Sequence, residues 1–496
     1  MLKLTPPMKI RLLTSCLLCL PCAVAAAPQP GAASAAKTSG TKPNVIVIFT
    51  DDHGYADLSC VGTEKDVKTP HLDRMAAEGV RFTDGYVTAP QCCPSRAGIL
   101  TGRDQNRFGL NANKMGPLPL SELTIADRLG KAGYVTGMVG KWHLDLTDNQ
   151  NRKKYHPHAR GFRETFYGQL TRYSATYDLK GNRFPKLQSV LTQGDRLDRQ
   201  SDAAVQFIDH HHKKPFFLYL AYFAPHVPLA SSKKYLDRFP GEMPERRRYA
   251  LAMISAVDDG VGRILARLKH HGIDSNTLVI FLSDNGAPIK LTMEDLSMKI
   301  KGGAWDGSKN TPLNGEKGML AEGGIRVPFL ARWKGTIPAG QVNRTPVSSL
   351  DIAATACAAA GMKPQAKLDG LDLLPMLAQA KPLPERTLYW RFWGQSAARK
   401  GDWKFLKMGN QQSFLFNLAN DPGETKNLIQ QHPELAARLE KSATTWASGL
   451  KPAGLPDTQG NIQESFFYHH FFKTPLPQGV DPKRNPFRNI GKRRKK

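Results

Sequence analysis

Short, continuous apolar runs separated by polar, Gly- and Pro-rich stretches organise the chain. Val45-Ile46-Val47-Ile48-Phe49 is the first, and residues 134–139, 216–222 and 278–282 repeat the pattern. Runs without polar alternation suit strands buried on both faces of a parallel sheet. Helical patterns over residues 123–131 and 249–269 fall between them. Such strand–helix alternation predicts an α/β core with a mixed, largely parallel central sheet flanked by helices. Beyond residue 376 the pattern changes. Residues 399–406 and 413–418 read as short strands and 433–450 as a helix, which predicts a small C-terminal α+β subdomain with an antiparallel sheet.

The residues just past each apolar run are chemically richer than the runs themselves. The first run leads into Asp51-Asp52-His53-Gly54, the second into Gly140-Lys141-Trp142-His143, the third into Ala224-Pro225-His226, and the fourth into Ser283-Asp284-Asn285-Gly286. In open α/β sheets, ligands bind outside the carboxyl ends of the strands. Four strand ends that each carry acids, bases or cations therefore point to one convergent metal and anion site.

Composition narrows the setting. The chain has 496 residues, 41% of them hydrophobic and 8% aromatic, as expected of an ordinary globular protein. Lys9 and Arg11 precede a short apolar run and then Ala23-Val24-Ala25, the pattern of a secretory signal. The run is too short to span a bilayer, and no later segment is long enough to do so. The expected organisation is a signal peptide over 1–25, a flexible leader over 26–42, a catalytic domain over 43–375, the C-terminal subdomain over 376–470 and a basic tail over 471–496. The implied location is outside the cytoplasm, periplasmic or secreted. The formal charge of +26 falls to +23 when Lys3, Lys9 and Arg11 leave with the signal. Such a charge favours polyanionic partners. No nucleic-acid motif is present, so a sulfated polysaccharide is the better candidate. Four cysteines remain after residue 25, too few for a disulfide scaffold, and Cys60 and Cys357 read as buried thiols.

The most specific element is Cys92-Cys93-Pro94-Ser95-Arg96, continuing to Thr101-Gly102-Arg103. Pro94 fits the first turn of a helix and Gly102 its C-terminal stop. Residue 92 then lies at a helix N-terminus, where free N–H groups favour anions. This element resembles the signature of the type I sulfatases. The resemblance extends over nearly all of residues 43–430, through the four strand ends above, Lys317 to Pro328, and Asn417 to Glu424.

The resemblance implies an alkaline-phosphatase-like core and a sulfatase acting on sulfate esters, by analogy those of sulfated carbohydrates. It implies that Cys92 is oxidised to formylglycine by a formylglycine-generating or maturase enzyme. Asp51, Asp52, Asp284 and Asn285 would hold a divalent cation together with residue 92. These hard oxygen donors suit Ca2+, with Mg2+ second, and disfavour zinc. Arg96 would orient the aldehyde hydrate; Lys141, His226 and Lys317 would surround the sulfate. His226 or Lys317 would protonate the leaving oxygen, and His143 would take the proton that releases sulfate. Two alternatives stand beside this reading. One is a phosphonate monoester or phosphodiester hydrolase of the same superfamily; the other is a non-catalytic polyanion-binding protein with Cys92 unconverted. Asp145 departs from the family pattern, in which glycine is frequent. The segments 167–199 and 290–310 are expected to shape the substrate mouth.

Overall fold

The computed structural model describes residues 42–113, 115–145, 152–168, 170–289, 305–409, 412–453 and 459–480. The expected signal, the expected leader up to residue 41, the expected tail beyond residue 480 and most of the 290–310 segment lie outside them. Sixteen strands occur among the described residues: β1 (Asn44–Asp51), β2 (Val80–Phe82), β3 (Gly85–Tyr86), β4 (Val135–Gly140), β5 (Glu164–Gly168), β6 (Arg172–Tyr177), β7 (Arg183–Leu191), β8 (Phe216–Pro225), β9 (Thr277–Ser283), β10 (Phe329–Arg332), β11 (Gln341–Asn343), β12 (Val347–Ser348), β13 (Thr387–Phe392), β14 (Gln395–Lys400), β15 (Trp403–Met408) and β16 (Gln412–Asn417).

Ten of them form one sheet in the order β11-β2-β10-β9-β1-β8-β4-β5-β6-β7. Its centre is parallel: β1 lies between β8 and β9, with Val47 opposite Tyr219 on one side and Ile280 on the other. β4 and β5 continue the parallel run. The flanks are antiparallel, through the β5-β6-β7 meander on one side and the β9-β10-β2 pairings on the other. A mixed sheet with a parallel core matches the expectation.

The apolar run of β1 is continuous because both faces are covered. Val45, Val47 and Phe49 enter one core with Ile99, Leu100 and Leu129. Ile46 and Ile48 enter the opposite core with Phe207, Met253, Val257 and Ile264. The first core is capped by the Cys92–Thr101, Ile125–Lys131 and Asp351–Ala359 helices, the second by the Arg196–His211 and Glu245–His270 helices. Thr124 caps the Ile125–Lys131 helix through a reciprocal box with Asp127, which starts it two residues later than the apolar pattern suggests.

β13 to β16 form a separate four-stranded antiparallel sheet covered by the Pro433–Ser448 helix. Here the sequence reading needs a correction. Residues 399–406 are not one strand: Gly401 and Asp402 turn the chain between β14 and β15, with Gly401 at φ 56°. Strand β13, not anticipated, precedes them. The 167–199 segment is also more ordered than a mouth loop, since it contains the β6-β7 hairpin. The thiols of Cys60, Cys92, Cys93 and Cys357 are all free, Cys60 being only half-buried. Among the described residues no helix is long and apolar enough to cross a membrane.

Candidate active site

The parallel strands deliver their charged tips to one place. β1 ends in Asp51 and continues to Asp52; β9 is followed by Asp284 and Asn285, β8 by His226, and β4 by Lys141 and His143. The chain turns sharply at several of these tips. Asp52 and His143 adopt φ of 65° and 62°, a conformation that side chains take only when surroundings hold them. Gly140, at φ 96°, passes so close to β8 that a Cβ there would lie 2.0 Å from the Ala221 carbonyl oxygen.

Cys92 is the first residue of a helix whose every residue is buried, and Gly102 ends it in the left-handed conformation. Its thiol donates to Asp51 Oδ1 at 3.4 Å and accepts from Lys317 Nζ at 3.2 Å. Around it three acids and three cations interlock. Lys141 Nζ lies 2.6 Å from Asp51 Oδ2, Lys317 Nζ 2.5 Å from Asp52 Oδ1, and Arg96 Nη2 2.6 Å from Asp284 Oδ2. Arg96 Nη2 is also 3.6 Å from Asp51 Oδ1, and its Nη1 donates to the Lys141 carbonyl. Asn285 Nδ2 donates to Asp52 Oδ1 at 2.7 Å, and the Asp52 amide donates to Asp284 Oδ1. His226 Nε2 stands 3.7 Å from Asp52 Oδ2 while its Nδ1 faces the Val227 carbonyl at 2.6 Å. His143 Nδ1 is buried without a hydrogen-bond partner. All ten residues singled out in the sequence therefore meet at this end of the sheet.

Electrostatics set the protonation pattern. Burial alone would raise Asp51, but Lys141, His226, Arg96 and Lys317 hold its carboxyl well below the usual range. Asp284 goes the other way, pushed up to about 7 by burial and by Asp51. Burial beside Lys141 and Arg96 drives His143 down to about 2, and burial takes His226 to about 4, so both imidazoles are neutral at pH 7. Burial and Asp284 push the Cys92 thiol far up. Thiol nucleophiles need a depressed pKa. Cys92 has the opposite, so its sulfur is not poised to attack.

The donor set fits a hard divalent cation. Asp51, Asp52 and Asp284 are fully buried, and Asn285 Oδ1 is a buried acceptor without a partner. Asp51, Asp52, Cys92 and His226 bring ligand atoms within 4.8 Å of one another. Oxygen donors dominate, as calcium or magnesium require.

Two neighbours escaped the sequence reading. Phe223 lies under Lys141 Nζ at 5.1 Å and beside the His226 ring at 5.0 Å. Arg196, at the start of a helix, stacks on the same phenyl ring at 4.5 Å. An apolar residue inside a strand run and an arginine after a capping aspartate give no sign of such a contact.

Comparisons with known proteins place the chain in a family. The sulfatase family model matches residues 43–362, and a model of the N-sulphoglucosamine sulphohydrolase C-terminal region matches residues 315–447. The N-acetylgalactosamine-6-sulfatase of Rattus norvegicus is 36% identical over 399 residues, covering 74% of this chain and 69% of that protein. Arylsulfatase A of Homo sapiens is 32% identical over 448 residues, covering 78% and 83%. The crystal structure of Ps i-CgsB with k-i-k-neocarrahexaose superposes with a TM-score of 0.73 at 31% identity, covering 86% of this chain and 97% of that one.

Proposed function

The chain belongs to the sulfatase family and is a sulfuric ester hydrolase, and from that premise we propose that it hydrolyses sulfate esters of sulfated carbohydrates, using a formylglycine made from Cys92 and a bound Ca2+. The observation that carries this reading is the setting of Cys92, buried at a helix N-terminus between Asp51 and Lys317 with its thiol firmly protonated. A thiol so placed is suited to being a precursor and unsuited to being a nucleophile.

Asp51, Asp52, Asp284 and Asn285 would hold the cation with residue 92, where it would supply Lewis-acid polarisation. Arg96 orients the hydrate, and Lys141, Lys317 and His226 face the sulfate oxygens, which gather charge during transfer. A hydroxyl of the hydrate attacks sulfur, the S–O bond to the sugar breaks, and the departing oxygen takes a proton from Lys317 or His226. Lys317 carries its proton at neutral pH because Asp52 outweighs its burial, whereas free His226 does not. His143 accepts the proton of the remaining hydroxyl, the C–O bond to sulfate breaks, and the aldehyde returns. The negative charge of the sulfate offsets Lys141 and Arg96, which raises the basicity of His143 for this step.

Export to the periplasm or medium fits the signal-like residues 1–25 and the basic charge; an oxidising maturase is required as partner. Peptide mass spectrometry with activity assays tests the proposal. Conversion of Cys92 lowers its peptide mass by about 18 Da, and Cys92→Ala abolishes release of sulfate from 4-nitrophenyl sulfate. An unshifted peptide in active protein, or faster turnover of 4-nitrophenyl phosphate esters than of the sulfate, overturns it.

A further inference from the structure

A second group of metal-binding side chains lies toward the opposite end of the sheet. β4 and β5 run parallel, and Glu164 opens β5 opposite Gly137, whereas Lys141 and His143 follow the far end of β4. The Arg196–His211 helix starts beside His226, where Arg196 Nη2 donates to the His226 carbonyl, and ends in His210 and His211. Glu164, His210 and His211 each bring a ligand atom within 4.8 Å of the others. Glu164 and His211 are buried and His210 is half-buried.

The hydrogen bonds of this group leave one atom over on each side chain. His210 Nε2 lies 3.0 Å from the Gly181 carbonyl, which can only accept, so Nε2 carries the proton and Nδ1 the lone pair. Among the described residues nothing donates to that Nδ1, although it is buried. Glu164 Oε1 is held by Arg183, while Oε2 is buried and receives no hydrogen bond. His211 Nε2 stands 3.0 Å from this Oε2, yet the pair is out of line for a hydrogen bond. A hydrogen bond needs the ring nitrogen to aim at the oxygen, whereas two ligands of one ion both aim beside each other, at the ion. The cluster thus holds three buried coordinating atoms without a partner, a costly arrangement unless a cation joins them.

We propose that Glu164, His210 and His211 form a Zn2+ site, with water as the fourth ligand, that fastens the end of the helix to β5. Two imidazoles and one carboxylate are a donor set that zinc favours, unlike the oxygen-rich set around Asp51. The contact of His210 Nε2 with a backbone carbonyl is the support that a metal-bound imidazole ordinarily has, since it fixes the tautomer and the ring orientation. Nothing in the site depends on chemistry at Cys92.

The test is zinc binding by calorimetry to the full-length protein, stripped with chelator and then kept in millimolar Ca2+ to occupy the oxygen-donor site. One Zn2+ per chain should bind with micromolar or tighter affinity and raise Tm. Glu164→Gln and His210→Gln should each weaken zinc about tenfold or more and remove the rise in Tm. A cooperative melting transition without zinc shows that a variant folds, and His210→Gln, at a half-buried position, keeps the test open should Glu164→Gln fail to fold. Zinc K-edge absorption should show nitrogen and oxygen neighbours, two of them imidazole, and no sulfur. Absence of zinc binding to the calcium-loaded protein, or zinc that persists at full affinity in folded His210→Gln, overturns the site.

Discussion

Lys317 Nζ sits 3.2 Å from Cys92 Sγ, 225 residues away in sequence, and 2.5 Å from Oδ1 of Asp52, the acid that follows β1. In the proposed mechanism a cation in that position faces both the nucleophile and the leaving oxygen. Lys317→Met should lower kcat for 4-nitrophenyl sulfate by roughly 10²-fold or more, the usual consequence of removing one preorganised donor to developing charge. Steady-state kinetics on the folded variant would check this. A loss of less than tenfold removes Lys317 from the transition state.

Chelation gives an independent outcome. Asp51, Asp52 and Asp284 are completely buried together, so a divalent cation bound only by the folded state stabilises it in proportion to RT ln(1 + [L]/Kd), about 2.7 kcal/mol at a hundredfold excess over Kd. EGTA should lower Tm and abolish turnover, and added Ca2+ should restore both. An enzyme that keeps its Tm and its rate after exhaustive chelation has no such cation.

Much of this site was legible because burial on both faces makes the parallel strands unbroken apolar words, so the charged residues after Phe49, Val139 and Leu282 stand out at their ends. The same logic fails where burial is one-sided or absent. β7 is largely exposed and carries no apolar signature. The turn at Gly401-Asp402 carries its own hairpin signal, a Gly-Asp pair between two short runs, which reading residues 399–406 as one strand passes over. Arg196 is invisible for another reason: its contacts lie 27 to 32 residues away, at Phe223, His226 and Pro228, and only folding brings them together.

The C-terminal sheet is tied to the site region by a buried charge cluster that no local pattern announces. Lys404 on β15 lies 2.8 Å from Glu322 Oε1 and 2.9 Å from Glu424 Oε1, all three side chains fully buried. Glu322 also accepts from Tyr86 and Arg326, and its neighbours hold it below the usual carboxylate range. Lys404→Met would leave Glu424 and part of Glu322 uncompensated, which costs about 3–5 kcal/mol. Urea titration should show that loss, while kcat measured well below the new Tm stays within severalfold. A midpoint unchanged by the substitution would mean the cluster contributes nothing.

Glu464 offers a pH test far from the cation. It is buried, accepts from the Gly394 amide at 3.0 Å and from Gln395 Nε2 at 3.2 Å, and among the described residues no cation pairs with it. Burial therefore raises its pKa from the ordinary 4.5 to about 7 despite those two donors. Between these values the unfolded chain has lost the proton and the folded protein keeps it. The folded state binds more protons there, so stability falls as pH rises, and the whole cost is present above pH 7. At about 1.4 kcal/mol per unit the cost is about 3 kcal/mol. Glu464→Gln keeps an acceptor for both donors and cannot ionise. Relative to the unsubstituted protein, the variant should gain several degrees of Tm at pH 8.5 and almost nothing at pH 4.5, as measured by calorimetry at both values. A gain that does not grow with pH would show that Glu464 ionises as freely in the fold as in water.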